Sequence, residues 1–302
     1  MQWRKFISLV GSAGFAWPIT THAQQPERMR RIGVLMLQSA DDPFGQAYFQ
    51  AFVHALGSLG WTVGRNVEID ARWTAADVDL LRRYVADLVA VDVILASTNQ
   101  PLTPLRQATR VVPIVLVAAI DPVGTGNVAS LARPGGNATG FLLYEYSISG
   151  KWLELLKLVA PGVTRVAILR DPATSAGIGQ FAAIQAVASP YKVELIPVDV
   201  DEASEIERGF AEFAREVNGG LIVTASVAAA RHRKLIITLA ARHRLPAVYV
   251  FRNFVVDGGL LSYGPDIADQ YRASARYIDR ILKCERPTEL PVQAPKVRAG
   301  EV

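Results

Sequence analysis

Arg31-Ile-Gly-Val-Leu-Met-Leu37 is an apolar run with a charge only at its start, and the polar Gln38-Ser-Ala-Asp-Asp42 and then Pro43 follow it. A short continuous apolar run closed by turn formers reads as a strand buried on both faces of a parallel sheet, since a strand with one wet face would alternate. The period then changes. Phe49, Phe52, Val53 and Leu56 recur at helical spacing, and Gly60 stands where such a helix would stop. Strand, polar loop and helix make the repeating unit of an open α/β sheet, whose ligands bind at the carboxyl ends of the strands. The loop at 38–42 is therefore the first place to look for a site.

The unit repeats outward from there. Positions 67–73 form an alternating strand, and Asp77 can cap a helix with Leu81, Tyr84, Val85, Leu88 and Val89 on one face. Strands follow at 91–96 and 113–120, with a short helix through Leu105 and Ala108 between them. The turn-rich Arg133-Pro-Gly-Gly-Asn-Ala-Thr-Gly140 marks a crossing between lobes. After it the pattern restarts: helix at 152–159, strand at 165–170, helix at 181–188, strands at 192–200, 220–224 and 246–251, and helices at 206–217 and 228–242. Gly258-Gly-Leu-Leu-Ser-Tyr-Gly264 marks a return crossing before a last helix at 268–282, with Tyr271, Ala275, Ile278 and Leu282 on one face. The expected organisation is two Rossmann-like α/β lobes with parallel sheets joined by a hinge: lobe 1 from 30–139 plus 264–288, lobe 2 from 140–263, and a tail from 289–302. The paired glycines Gly135-Gly136 and Gly258-Gly259 are expected near the crossings.

Composition narrows the function classes. The formal charge of +4 falls to +2 without Arg4 and Lys5, so nucleic acid is not an expected partner. Cys284 is the single cysteine, which excludes an intrachain disulfide. Arg4 and Lys5 precede an apolar run from Phe6 to Trp17 that is too short to span a bilayer, and Thr21-His-Ala23 precedes Gln24-Gln25. That is the form of a signal peptide over 1–23, cleaved near Ala23, and it places the mature protein in the periplasm.

Ser97-Thr-Asn-Gln-Pro-Leu-Thr-Pro-Leu-Arg-Gln-Ala-Thr-Arg-Val-Val-Pro-Ile-Val-Leu116, Asp121-Pro-Val-Gly124, Leu131-Ala-Arg-Pro-Gly-Gly-Asn-Ala-Thr-Gly-Phe141 and Gly258-Gly-Leu-Leu-Ser-Tyr-Gly264 together resemble the solute-binding proteins of ABC transporters related to the TrpX group. The resemblance covers roughly residues 31–295. It implies the type I periplasmic binding fold and a two-lobed clamp without catalysis. The implied partners are a small organic solute, an amino acid or similar compact compound, and an inner-membrane ABC permease with its cytoplasmic ATPase; the clamp is expected to act as a monomer. Family members continue past a segment like Leu290-Pro-Val-Gln-Ala-Pro295 into a further strand and helix. On that comparison this chain should lack an edge strand in its second lobe and one of three hinge connections.

Candidate ligand-binding residues follow from the strand-end loops. In the first lobe they are Gln38, Ser39, Ser97, Thr98, Asn99 and Asp121. In the second they are Tyr146, Asp171, Thr224, Ser226, Arg252 and Tyr263. Hydroxyls and backbone donors suit a carboxylate, Asp-Pro carboxylates suit an ammonium, and aromatic rings suit the wall of a small-molecule pocket. Ser97, Thr98 and Ser226 equally fit helix caps, and Asp121 and Asp171 equally fit turns.

Sharper motifs do not gather. Gly177-Ile-Gly-Gln-Phe-Ala182, with Asp199 beyond it, fits the dinucleotide spacing, but six residues separate the strand from the first glycine. No histidine pair has metal-ligand spacing, and no nucleophile elbow or Walker loop is present, so neither cofactor, metal nor catalytic residue is expected. Ala-Arg-His-Arg occurs at 230–233 and 241–244, and on one helix both copies would share a solvated basic face. Two other classes stay open beside transport: a ligand-sensing module for a membrane receptor, and an NAD-type enzyme.

Overall fold

The computed structural model describes residues 28–295 and 297–300. The expected signal segment lies outside them. In the first lobe, β1 (Arg30–Met36), β2 (Val67–Trp73), β3 (Val93–Ser97), β4 (Ile114–Ala119) and β5 (Ala138–Leu142) form a parallel sheet in the order β2-β1-β3-β4-β5. Its helices are α1 (Pro43–Ser58), α2 (Val78–Leu88) and α3 (Leu102–Ala108). Asp42 and Asp77 cap α1 and α2, each accepting two backbone N–H groups, which fixes where both helices begin. Phe52 and Leu56 of α1 are fully buried in a core cluster that they share with residues of the sheet and of the last long helix.

The second lobe carries α4 (Ile148–Val159), β6 (Arg165–Arg170), α5 (Ser175–Val187), β7 (Glu194–Asp199), α6 (Ala203–Phe213), β8 (Gly219–Val223), α7 (Val227–Arg231), α8 (Arg233–Arg242), β9 (Ala247–Tyr249), α9 (Arg252–Val256) and β10 (Leu261–Pro265). The chain then returns as α10 (Ile267–Leu282), which packs on α1 and β4 of the first lobe. Tyr271, Ala275, Ile278 and Leu282 are buried, as the sequence period predicts. Trp152 of α4 is fully buried and its indole N–H donates to the Tyr263 carbonyl at 2.6 Å, tying α4 to β10.

Several expectations need correction. The turn-rich 133–140 segment is not the crossing: β5 joins the first sheet, and the chain leaves only after Leu142. Gly140 hides this strand, because it has φ +148° and a Cβ there would strike the backbone of Leu116. Gly135-Gly136 and Gly258-Gly259 likewise precede β5 and β10, a strand's length before each crossing. The residues expected as a tail are built into both lobes. The Leu290 carbonyl accepts from the Thr139 hydroxyl, and Gln293 exchanges backbone bonds with Gly140 and Leu142. The chain then crosses a third time, and β11 (Val297–Gly300) pairs antiparallel with β10. The edge strand and the third connection expected to be missing are therefore present. The second sheet runs β11-β10-β9-β8-β6-β7.

Candidate functional site

The first-lobe side of the site starts at the end of β1. The loop after β1 is tied to the loop after β2, with the Ala76 N–H donating to the Leu37 carbonyl at 2.9 Å and the Ala75 N–H to that of Gln38 at 3.2 Å. Asp42 then starts α1, whose first turns carry Phe44 and Tyr48 on one side, with Tyr48 stacked on Tyr271. Across from them, the second lobe presents the break between α7 and α8. The expected single helix over 228–242 stops at His232, so the two Ala-Arg-His-Arg clusters do not share one helical face. The first cluster lies at the mouth of the cleft instead.

Between these walls is a cavity of about 540 Å³ lined by Gln38, Ser39, Phe44 and Tyr48 from one lobe and by Arg231, His232, Arg233 and Lys234 from the other. A second cavity of about 260 Å³ adjoins it through Phe44, Tyr48 and Asn253, and Phe251, Arg252 and Asp266 also line it. Arg233 spans the lobes. Its Nε donates to Asp257 at 2.5 Å, and its guanidinium lies 5.0 Å from the Phe44 ring centre. Burial pushes the Tyr48 phenol up to about 12; Asp42 adds to that shift and Arg233 opposes it. The Ser39 hydroxyl bonds Asp41 and holds its carboxyl below the usual range.

Of the sequence-derived candidates, Gln38, Ser39 and Arg252 line these cavities. The others are placed elsewhere or held by nearby groups. Ser97 is buried and its hydroxyl bonds Tyr271 in the first-lobe core. Thr98 takes φ +67°, with its N–H on the Val117 carbonyl. The Asn99 side-chain amide bonds both the N–H and the carbonyl of Ile120. Asp121 closes a turn by accepting from the Gly124 N–H at 2.9 Å, and Asp171 does so with the Ala173 N–H at 3.0 Å. The buried Thr224 donates to the Leu169 carbonyl at 2.7 Å, and Ser226 caps α7 through the Ala229 N–H. Tyr146 packs edge-on against Tyr144, where a Cβ on Gly179 would strike its ring. Tyr263 lines a different cavity of about 360 Å³ beside the crossings, with Glu145, Lys151 and Pro295. Gly177 and Gly179 sit inside α5, where Gly177 lies against the Asp171 backbone. Both serve close packing, not a tight strand-to-helix turn.

Phe44, Tyr48, Arg233 and Asn253 escape the strand-end rule because helix starts present them. Phe44 and Tyr48 do carry a signal: they extend the aromatic stripe of α1 one turn beyond the stretch its own sheet buries.

The family model for ABC transporter substrate-binding proteins matches residues 33–298, most of the chain and both walls of the cleft. The chain belongs to the ABC transporter substrate-binding protein family. This substrate-binding protein is 22% identical over 269 residues to the tyrosine-binding protein of Clostridioides difficile, covering 88% of this chain and 76% of that one. Its fold is similar to that of a conserved domain protein from Vibrio cholerae (TM-score 0.80, 22% identity, 90% and 91% of the two chains). It is similarly close to an ABC domain from Streptococcus pneumoniae in complex with L-Trp (TM-score 0.79, 23% identity, 89% and 91% covered).

Proposed function

We propose that this substrate-binding protein captures an amino acid with an aromatic side chain between its lobes, outside the cytoplasm, and delivers it to an inner-membrane permease driven by a cytoplasmic ATPase. The observation that carries this reading is the unlike character of the two cleft walls. One offers the rings of Phe44 and Tyr48, and the other the cations Arg231, Arg233 and Lys234. An aromatic side chain would pack on the first and an acidic group would face the second. The relatives whose names or complexes give tyrosine and tryptophan point the same way. Hinge bending follows from the three crossings: a solute touching both walls stabilises the closed state by its contacts in that state alone. The basic start and apolar run before Ala23 support export, and members of the family are extracytoplasmic. Gln38, Ser39 and Arg252 remain the ligand-binding candidates best placed for the task.

Calorimetric titration and thermal shift with an amino-acid panel test this reading. A ligand at 100 times its Kd should stabilise the fold by about 2.7 kcal/mol. Heat and a raised Tm with tyrosine or tryptophan are the expected result, and silence with every amino acid would remove the ligand class.

A further inference from the structure

We propose that Arg233 receives the acidic group of the bound solute and makes closure of the lobes depend on that group. The inference rests on the cleft being the solute site and goes further by naming the residue that sets specificity. The Arg233 side chain is only 13% exposed, yet it lines the larger cavity. Its orientation is fixed twice, by the Nε bond to Asp257 within its own lobe and by the Phe44 ring of the opposite lobe. Hydrogen bonds among the described residues leave its two Nη nitrogens unused. A guanidinium held in this way keeps a planar pair of donors in the geometry that grips a carboxylate with two parallel bonds.

The surrounding charge favours the same occupant. Arg231, Lys234 and Arg252 add cations to the cavity walls. The facing acids are committed: Asp42 caps α1, and Asp266 caps α10 and pairs with Arg272. Asp257 holds Arg233 itself. A cationic solute would therefore meet positive charge first. Because the Phe44 contact forms across the cleft, an anion that orders the guanidinium also favours the arrangement in which the lobes meet.

The test titrates the full chain with matched probes: L-tyrosine and 3-phenylpropionate, which carry a carboxylate; tyramine, which lacks it; L-leucine, which lacks the ring; and glucose, which lacks both. The wild type should prefer tyrosine over tyramine by roughly 100-fold, and Arg233→Met should erase that ratio. The double variant Arg233→Met/Asp257→Asn avoids an unpaired carboxylate and should lose the preference equally, while Arg233→Lys should keep only part of it. A variant that weakens every probe by the same factor and leaves the ratio intact would reduce Arg233 to a latch and overturn the proposal. A wild type that binds no carboxylate probe would overturn it too. Leucine bound as well as tyrosine, with the Arg233 dependence intact, would instead remove the aromatic reading and leave this one standing.

Discussion

The two lobes share one βα plan, but the left-handed non-glycine residues beside their strands stand at opposite strand ends. In the first lobe Ala75, Ala76, Thr98, Ala118 and Asp121, with φ from +42° to +67°, close or follow β2, β3 and β4. In the second, Lys192, Asn218 and Arg244 precede β7, β8 and β9. Left-handed conformations cost a non-glycine residue about 1–2 kcal/mol and persist where the surroundings over-determine them. The first lobe spends part of that cost at the cleft itself, where Ala75 and Ala76 line the cavity, so that part of its wall is set in advance. The second spends it on the far side and presents its wall from helix starts. A buried glutamine in each lobe carries the same contrast. Gln270 accepts from the Ala118 N–H and donates to the Leu142 carbonyl, both at 2.9 Å. Gln180 accepts from the Ala225 N–H at 2.9 Å, while its buried Nε2 has no partner among the described residues.

Replacing the two glutamines should break the symmetry most visibly. Gln270→Leu orphans two buried backbone groups and should cost about 2–4 kcal/mol, whereas Gln180→Leu orphans one, removes an unpaired donor and should cost about 1 kcal/mol. Urea midpoints at constant m-value measure both, and equal losses would end the contrast. Glycine at left-handed positions tests the strain directly. Ala76→Gly and Arg244→Gly should each stabilise by about 1 kcal/mol, but only the first should weaken solute binding. If binding is untouched by both, the preset wall has no bearing on the ligand. Ser226→Ala should lose about 1 kcal/mol with affinity unchanged, since its hydroxyl serves α7. A drop in affinity would return Ser226 to the site.

The smallest effect concerns alkaline pH. Tyr48 is pushed up to about 12 from 10.0, mainly by burial. A folded value above the unfolded one means that the unfolded chain loses its proton first. The stabilisation is present below pH 10 and fades as pH rises toward 12. Tyr48→Phe should flatten this decline in Tm without abolishing it, because burial raises Tyr144, Tyr249 and Tyr271 as well. An unchanged decline would contradict the assignment.

How much of this is legible in the sequence depends on whether a feature is local. The strands at 67–73 and 165–170 and the Asp77 cap are written in neighbouring residues, and the structure has them where the pattern puts them. β5 is not, because its glycine is demanded by the Leu116 backbone on another strand. The Asn99 amide looks free in sequence yet is consumed by Ile120, which lies 21 residues away. Arg233 reads as one of several surface cations until Phe44 of the other lobe is brought over it. Side chains at the strand ends tend to serve the backbone that makes the loops, and the open valences of the cleft fall to helix starts that only the folded lobes bring together.

The return of the chain as α10 sets an order of events during synthesis. α1 emerges early, but the helix that covers it is made only after the whole second lobe. A growing chain thus leaves the α10-facing side of α1 without its partner across more than 200 residues of elongation. Until that return is made the first lobe stands one helix short of its core, however complete its sheet.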